Sequence, residues 1–223
     1  MAKTHLKRIA APRTWPIGRK LTTFVRRPRP GTHRIEQGMS LQTWLVEILG
    51  IATTARETRN AIRAGAIRVN GRTAASQDQI VGLFDVISIE GTGDYLITLS
   101  PQNRLAITET TYTGENLSRI EGKHVLKGGV IQYRLFNGWT ERSDAKYSVG
   151  QTVVVKNGRI DRVLPLEKGA KVYFTRGLSV GRRGEVKELS DDKVTVTVDG
   201  KDVESHRDIF VVITGFAPLE GDS

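Results

Sequence analysis

Four dipeptides, Asn70-Gly71, Asn137-Gly138, Asn157-Gly158 and Asp199-Gly200, interrupt short runs of apolar residues. Such pairs are strong hairpin signals, because both central residues of a type I′ turn need φ > 0. A chain punctuated in this way favours short strands joined by tight turns. The 23 Gly against 7 Pro agree, as does an apolar fraction of 38%, which favours several small β-rich modules over one large core. Candidate strands cover 67–69, 82–89, 95–99, 105–108, 129–135, 151–156, 172–174, 193–198 and 209–213. The run Val153-Val154-Val155 reads as a fully buried strand.

Residues 40 to 65 break this pattern with two helices. Ser40 is a good N-cap. Leu41, Trp44, Leu45, Ile48 and Leu49 fall at helical spacing on one stripe, and Gly50 can close the helix. Thr54-x-x-Glu57 then forms a capping box. Ala55, Thr58, Ala61 and Ile62 make a narrow inner face, and Gly65 ends the helix. Arg56, Arg59 and Arg63 share the opposite face. Taken alone, three such arginines are a solvated surface. They lead, however, into Gly65-Ala66-Ile67-Arg68-Val69-Asn70-Gly71-Arg72, where Ile67 and Val69 alternate with Arg68 as in a half-buried strand.

Charge is unevenly placed. The chain carries 34 Lys/Arg and 24 Asp/Glu, a net of +10. Residues 1–34 hold ten of the cations and no acid: Lys3, Lys7, Arg8, Arg13, Arg19, Lys20, Arg26, Arg27, Arg29 and Arg34. The remainder is therefore balanced, at 24 of each sign. A neutral body with a concentrated cationic segment suits a polyanion. Apolar residues in 1–39 are sparse and follow no period, so the segment reads as an arm that orders only on its partner. Trp15 and Phe24 could stack on bases or dock on a partner. If all ten cations met phosphates, log K against log salt would slope at about −7 to −9. Deleting such an arm would leave the unfolding of the body nearly unchanged.

Other classes find little support. No run approaches a membrane span, and the N-terminus lacks the apolar stretch of a signal peptide. Prolines at 12, 16, 28 and 30 argue against an amphipathic targeting helix. With no cysteine, disulfides and thiolate chemistry are excluded. His5, His33, His124 and His206 are dispersed, so neither metal nor cofactor is expected. Glu109, Glu121 and Asp144 have no catalytic spacing and read as surface carboxylates.

Residues 166–215 read as a small barrel. Arg176 and the glycines at 177, 181 and 184 form a Gly-rich loop with Arg182 and Arg183 on its rim. No Lys-Ser/Thr follows the last glycine and strands follow the loop, so a phosphate-binding P-loop does not fit.

The order helix, capped helix, Val-Asn-Gly-Arg, then Phe84-Asp85-Val86-Ile87 resembles the alpha-L RNA-binding motif. That resemblance implies RNA contact by Arg56, Arg59 and Arg63 on the helix, and by Arg68, Asn70 and Arg72 around the turn. The sequence departs from the motif between Gly82 and Asp85, which are often adjacent. The glycine loop resembles the KOW motif, which places Arg176, Arg182 and Arg183 near RNA phosphates. Over nearly its whole length the chain is similar to the archaeal and eukaryotic family of small-subunit ribosomal protein four, eukaryotic type. The matching residues include His5-Leu6-Lys7-Arg8, Ala10-Ala11-Pro12, Trp15, Arg29-Pro30-Gly31, His33, Glu167-Lys168-Gly169 and Ile209-Phe210-Val211.

The resemblance implies an α+β, multi-module chain. Its parts would be a basic arm (1–39), an alpha-L domain of two helices and a small sheet (40–100), a central β domain (101–165), a KOW-type β-barrel (166–215) and an acidic tail (216–223). Gly65, Gly71, Gly177, Gly181 and Gly184 would be structural. The implied role is non-enzymatic binding of small-subunit rRNA, with His5, Trp15, His33 and the ten cations of the arm among the contacts, beside neighbouring ribosomal proteins in the cytoplasm. No membrane, small-molecule substrate or homo-oligomer is implied. An RNA-modifying enzyme and a free transcription or translation factor are the alternatives.

Overall fold

A computed structural model of the chain describes residues 5–143, 145–190 and 193–220. Lys3, Asp144 and residues 221–223 of the expected tail lie outside them. The chain divides into two compact units, 1–98 with 104–112 and 99–103 with 113–223. Most of its regular secondary structure is strand.

The first unit begins with β1 (His5–Lys7) and β2 (Phe24–Arg26), which pair antiparallel. The segment read as a loose arm is thus folded, and it is tied down along its length. Thr14 O accepts from Leu105 N at 2.7 Å, and Arg29 N donates to Asp78 O at 2.8 Å. Trp15 is 2% exposed and donates through Nε1 to Ile35 O at 2.9 Å. Sequence periodicity missed this because the segment buries single residues at irregular intervals, not a stripe.

Next come β3 (Gly38–Ser40), α1 (Leu41–Thr43) and a π-helical turn, Trp44–Ile48. Ser40 caps as expected, its Oγ accepting from Thr43 N at 3.2 Å. The regular helix expected over 41–49 is instead widened, with Leu49 N bonded to Trp44 O. Trp44 remains fully buried and donates to Val81 O.

Then follow α2 (Ala55–Arg63), β4 (Ile67–Val69), β5 (Arg72–Thr73), β6 (Ile80–Gly82), β7 (Val86–Ile89), β8 (Gly93–Leu99) and β9 (Leu105–Thr110). The main sheet has the order β5-β4-β7-β8-β9, and β3 pairs with β6. The return strand of the Asn70-Gly71 hairpin is the short β5, while β7 lies on the other edge of β4. The strand expected from Leu105 belongs to this sheet and not to the central module. At the departure from the alpha-L pattern, Asp85 N bonds to Gly82 O and Phe84 takes φ +68° with its ring buried. The inserted Leu83-Phe84 is therefore the centre of a tight turn.

The second unit contains β10 (Glu115–Val125), β11 (Ile131–Leu135), β12 (Thr140–Ser143), β13 (Thr152–Lys156) and β14 (Arg159–Leu164). They form a sheet of order β12-β11-β10-β13-β14. Its core is Ile120, Tyr133, Leu135, Val153 and Val155. All three valines of the 153–155 run are fully buried. The longest strand, β10, has no alternating pattern because Asn116, Ser118 and Arg119 are buried beside Leu117 and Ile120.

A second sheet, of order β18-β17-β16-β15-β19, uses β15 (Lys171–Phe174), β16 (Arg183–Leu189), β17 (Lys193–Val198), β18 (Lys201–His206) and β19 (Phe210–Val212). Burial pushes the Tyr173 hydroxyl up to about 12, and it bonds both Leu99 N and Leu99 O. The tail expected from 216 begins as a helix, α3 (Ala217–Glu220), with Phe216 and Leu219 buried. Apolar anchors there outweigh the acidic composition.

Asn70-Gly71, Asn157-Gly158 and Asp199-Gly200 all have the two positive φ values of type I′. Asn137-Gly138 differs. Only Gly138 is left-handed, and Leu135 N bonds to Trp139 O across a three-residue loop.

Candidate RNA interface

The capping box sets where α2 starts. Thr54 Oγ1 accepts from Glu57 N at 3.2 Å. The Glu57 carboxylate accepts chiefly from Thr53 N, one residue before the cap, at 2.8 Å. That bond, with the Thr53 hydroxyl, holds the Glu57 carboxyl below the usual carboxylate range. With Thr58 fully buried beneath it, α2 presents Arg56, Arg59 and Arg63 to solvent. Among the described residues, none of the three pairs with a carboxylate. Thr54→Ala is expected to cost about 1 kcal/mol by leaving that backbone donor without its cap. Thermal unfolding followed by circular dichroism checks this.

Beyond α2, Gly65 is left-handed and turns the chain into β4. Arg68 is exposed opposite Ser88 and Thr73. Arg72 is also exposed, but has a partner within the fold. Asn70 was expected to face RNA, yet it is committed at both ends. Its Oδ1 accepts from Val86 N at 2.9 Å and its Nδ2 donates to Asp85 Oδ1 at 2.7 Å. It latches the hairpin to the next strand.

The N-terminal cations divide in the same way. Lys7, Arg13, Lys20, Arg27 and Arg34 are exposed, with no ion pair among the described residues. Arg29 is exposed, 3.6 Å from Asp78. Arg19 donates to the carbonyls of Ile9 and Ala11 at 3.0 and 2.9 Å. Arg8 and Arg26 are structural. Arg8, 4% exposed, bonds Thr22 Oγ1, Gly18 O and the Glu47 carboxylate. Arg26 pairs with both oxygens of buried Asp78. His33 is likewise internal, its Nε2 lying 2.7 Å from Asp85 Oδ2. Burial opposes its charge, but the Asp85 carboxylate prevails and raises its pKa above 6.5.

Arg8, Arg26, His33, Trp15 and Asn70, all expected at the RNA face, are therefore taken up by the fold. The partners of Arg8, Arg26 and His33, which are Glu47, Asp78 and Asp85, escaped sequence reading because those pairs lie 39 or 52 residues apart. Local patterns carry no sign of such pairs.

In the second unit, Gly181 has φ +73°, and a Cβ there would lie 2.4 Å from Ser100 O. Close backbone approach therefore requires this glycine. Arg176 and Arg182 are exposed, and Arg182 pairs with Asp199 at 2.8 Å. Arg183 is half-buried, with a partner of its own. Among the described residues no cluster of side chains could hold a metal, and no helix is long and apolar enough to cross a membrane.

Family models match three successive stretches. Residues 2–36 match the RS4NT (NUC023) domain, 39–87 the S4 domain, and 93–159 the ribosomal family S4e. The small ribosomal subunit protein eS4 of Nanoarchaeum equitans (strain Kin4-M) is 36% identical over 193 residues, covering 84% of this chain and 82% of that protein. That of Methanocella arvoryzae (strain DSM 22066 / NBRC 105507 / MRE50) is 31% identical over 227 residues, covering 98% and 97%. The chain belongs to the S4e family. Its S4 domain spans β3 to β7 and includes α2 and the Asn70-Gly71 hairpin. The N-terminal match falls on the segment that sequence patterns alone read as an arm. The S4e fold is also seen in the crystal structure of the 30S ribosomal protein S4e from Thermoplasma acidophilum. That structure aligns with a TM-score of 0.66 at 23% identity, covering 79% of this chain and 94% of that one.

Proposed function

We propose that this S4e chain is a non-enzymatic, structural constituent of the small ribosomal subunit that binds and stabilises its rRNA, in the cytoplasm and beside other ribosomal proteins. The observation that carries the reading is the family relation, which extends over nearly the full length of relatives named as small-subunit ribosomal proteins. The geometry supplies a mechanism. Arg56, Arg59 and Arg63 project from a capped helix with no carboxylate partner among the described residues, and Arg68 stands on the following strand. Phosphates can replace the missing partners and release counterions. Lys7, Arg13, Lys20, Arg27, Arg29 and Arg34 extend the cationic surface on a folded segment, so their positions are set before RNA arrives. The loop of Arg176, Arg182 and Arg183, with Gly177, Gly181 and Gly184, supports a KOW-type barrel as a further contact. RNA shape, not base sequence, would be read by such surfaces.

The double variant Arg59→Glu and Arg63→Glu tests the helix. Its affinity for small-subunit rRNA, measured by filter binding across a salt series, is expected to fall by tenfold or more. The slope of log K against log salt should flatten by about 2. Wild-type affinity and slope in the double variant would remove α2 from the interface.

A further inference from the structure

On β1 and β2, Leu6 lies opposite Val25, and both turn inward, with Val25 6% exposed. The other face of this two-stranded ribbon carries His5, Lys7, Phe24 and Arg26. Arg26 is drawn onto Asp78, which leaves a small platform. Phe24 is 49% exposed, and His5 meets its ring edge-on, with centroids 4.9 Å apart at 74°. Lys7 is the direct cross-strand neighbour of Phe24, and Arg27 follows on the same strand's end. No acid occurs anywhere in residues 1–34. Trp15, the other aromatic of this segment, is buried and cannot serve the same purpose.

We infer that Phe24 is a stacking platform for one unpaired base of an RNA strand, with His5 fixing the ring and Lys7 receiving the adjoining phosphate. The inference rests on the rRNA-binding reading and deepens it by naming a contact that phosphate neutralisation does not require. An aromatic face accepts any base, because every base has a π-face. A base within a duplex is already stacked on its neighbours and is not available. The platform therefore selects single-stranded or bulged RNA over a duplex. A second protein of anionic surface would also be drawn to Lys7 and Arg27. It would have no need of a flat ring, and a leucine would serve it nearly as well.

The test uses the full chain with an oligouridylate of about 12 nucleotides and an RNA duplex of similar length. Phe24→Ala and Phe24→Leu are both expected to weaken oligouridylate binding on the order of tenfold, with an unchanged salt slope. Phe24→Trp should bind at least as tightly as wild type, and duplex binding should be the same in all four proteins. Lys7→Ala should instead lower the single-strand salt slope by about 0.7. Wild-type affinity in Phe24→Ala would overturn the platform, and wild-type affinity in Phe24→Leu alone would replace stacking with simple apolar contact. Either result would leave the steep salt dependence of the parent protein intact. Loss of that dependence in the wild type would instead count against rRNA binding as a whole.

Discussion

Removal of residues 1–34 is expected to unfold the first unit rather than to trim a tail from it. Trp15 is among the largest fully buried side chains, and losing such a residue costs about 3–5 kcal/mol. Val25, Ala11 and the strand pair β1–β2 are removed with it. The deletion also strips Arg26 from Asp78, 4% exposed, and His33 from Asp85, 3% exposed. Breaking a buried ion pair on one side costs about 3–5 kcal/mol, because the surviving charge is left without compensation. Together these losses rival the whole stability of a domain, about 5–15 kcal/mol. Trp15→Ala is the milder form, expected to destabilise by about 3–5 kcal/mol. Thermal and urea unfolding decide the matter. A truncated chain that melts at the wild-type temperature would restore the picture of a separable arm.

The same geometry corrects the electrostatics. Taking Arg8 and Arg26 from the ten cations leaves eight, so the limiting salt slope of the segment drops to about −6 to −7.

What the sequence disclosed was local. The Asn70-Gly71 turn, the Ser40 and Thr54 caps, the exposed arginines of α2 and the buried 153–155 run all follow from contacts within a few residues. Each has a period or a dipeptide to announce it. The ordering of residues 5–34 had neither. It depends on Glu47, Asp78 and Asp85, whose partners are far away in sequence. For β10 the difficulty was different, since a strand that buries Asn116, Ser118 and Arg119 conceals its own alternation. The candidate interface was accordingly legible on α2 and β4. On the N-terminal segment, composition counted charges without showing which ones face inward.

Asp85→Ala is expected to reverse the pH dependence of stability as well as lower it. Asp85 accepts from His33 Nε2, Asn70 Nδ2 and Gly82 N, and so joins the N-terminal segment, the hairpin turn and β6. Gly82 makes room for the pair, because a Cβ there would lie 2.7 Å from the His33 ring. Losing the carboxylate should cost about 3–5 kcal/mol where His33 is charged. In the wild type, the folded pKa of His33 lies above 6.5. Its contribution is therefore present in full below about pH 6.5 and is lost as the pH rises through the raised folded value. Without Asp85, only burial acts on the ring, and burial lowers its pKa. The unfolded chain then binds the proton more readily, so the variant should lose stability as the pH falls below about 6.5. Urea unfolding of both proteins across this range reads the two slopes, with His33→Gln as the control in which neither slope arises from the ring. Parallel profiles in the wild type and Asp85→Ala would show that Asp85 does not hold a proton on His33 in the folded state.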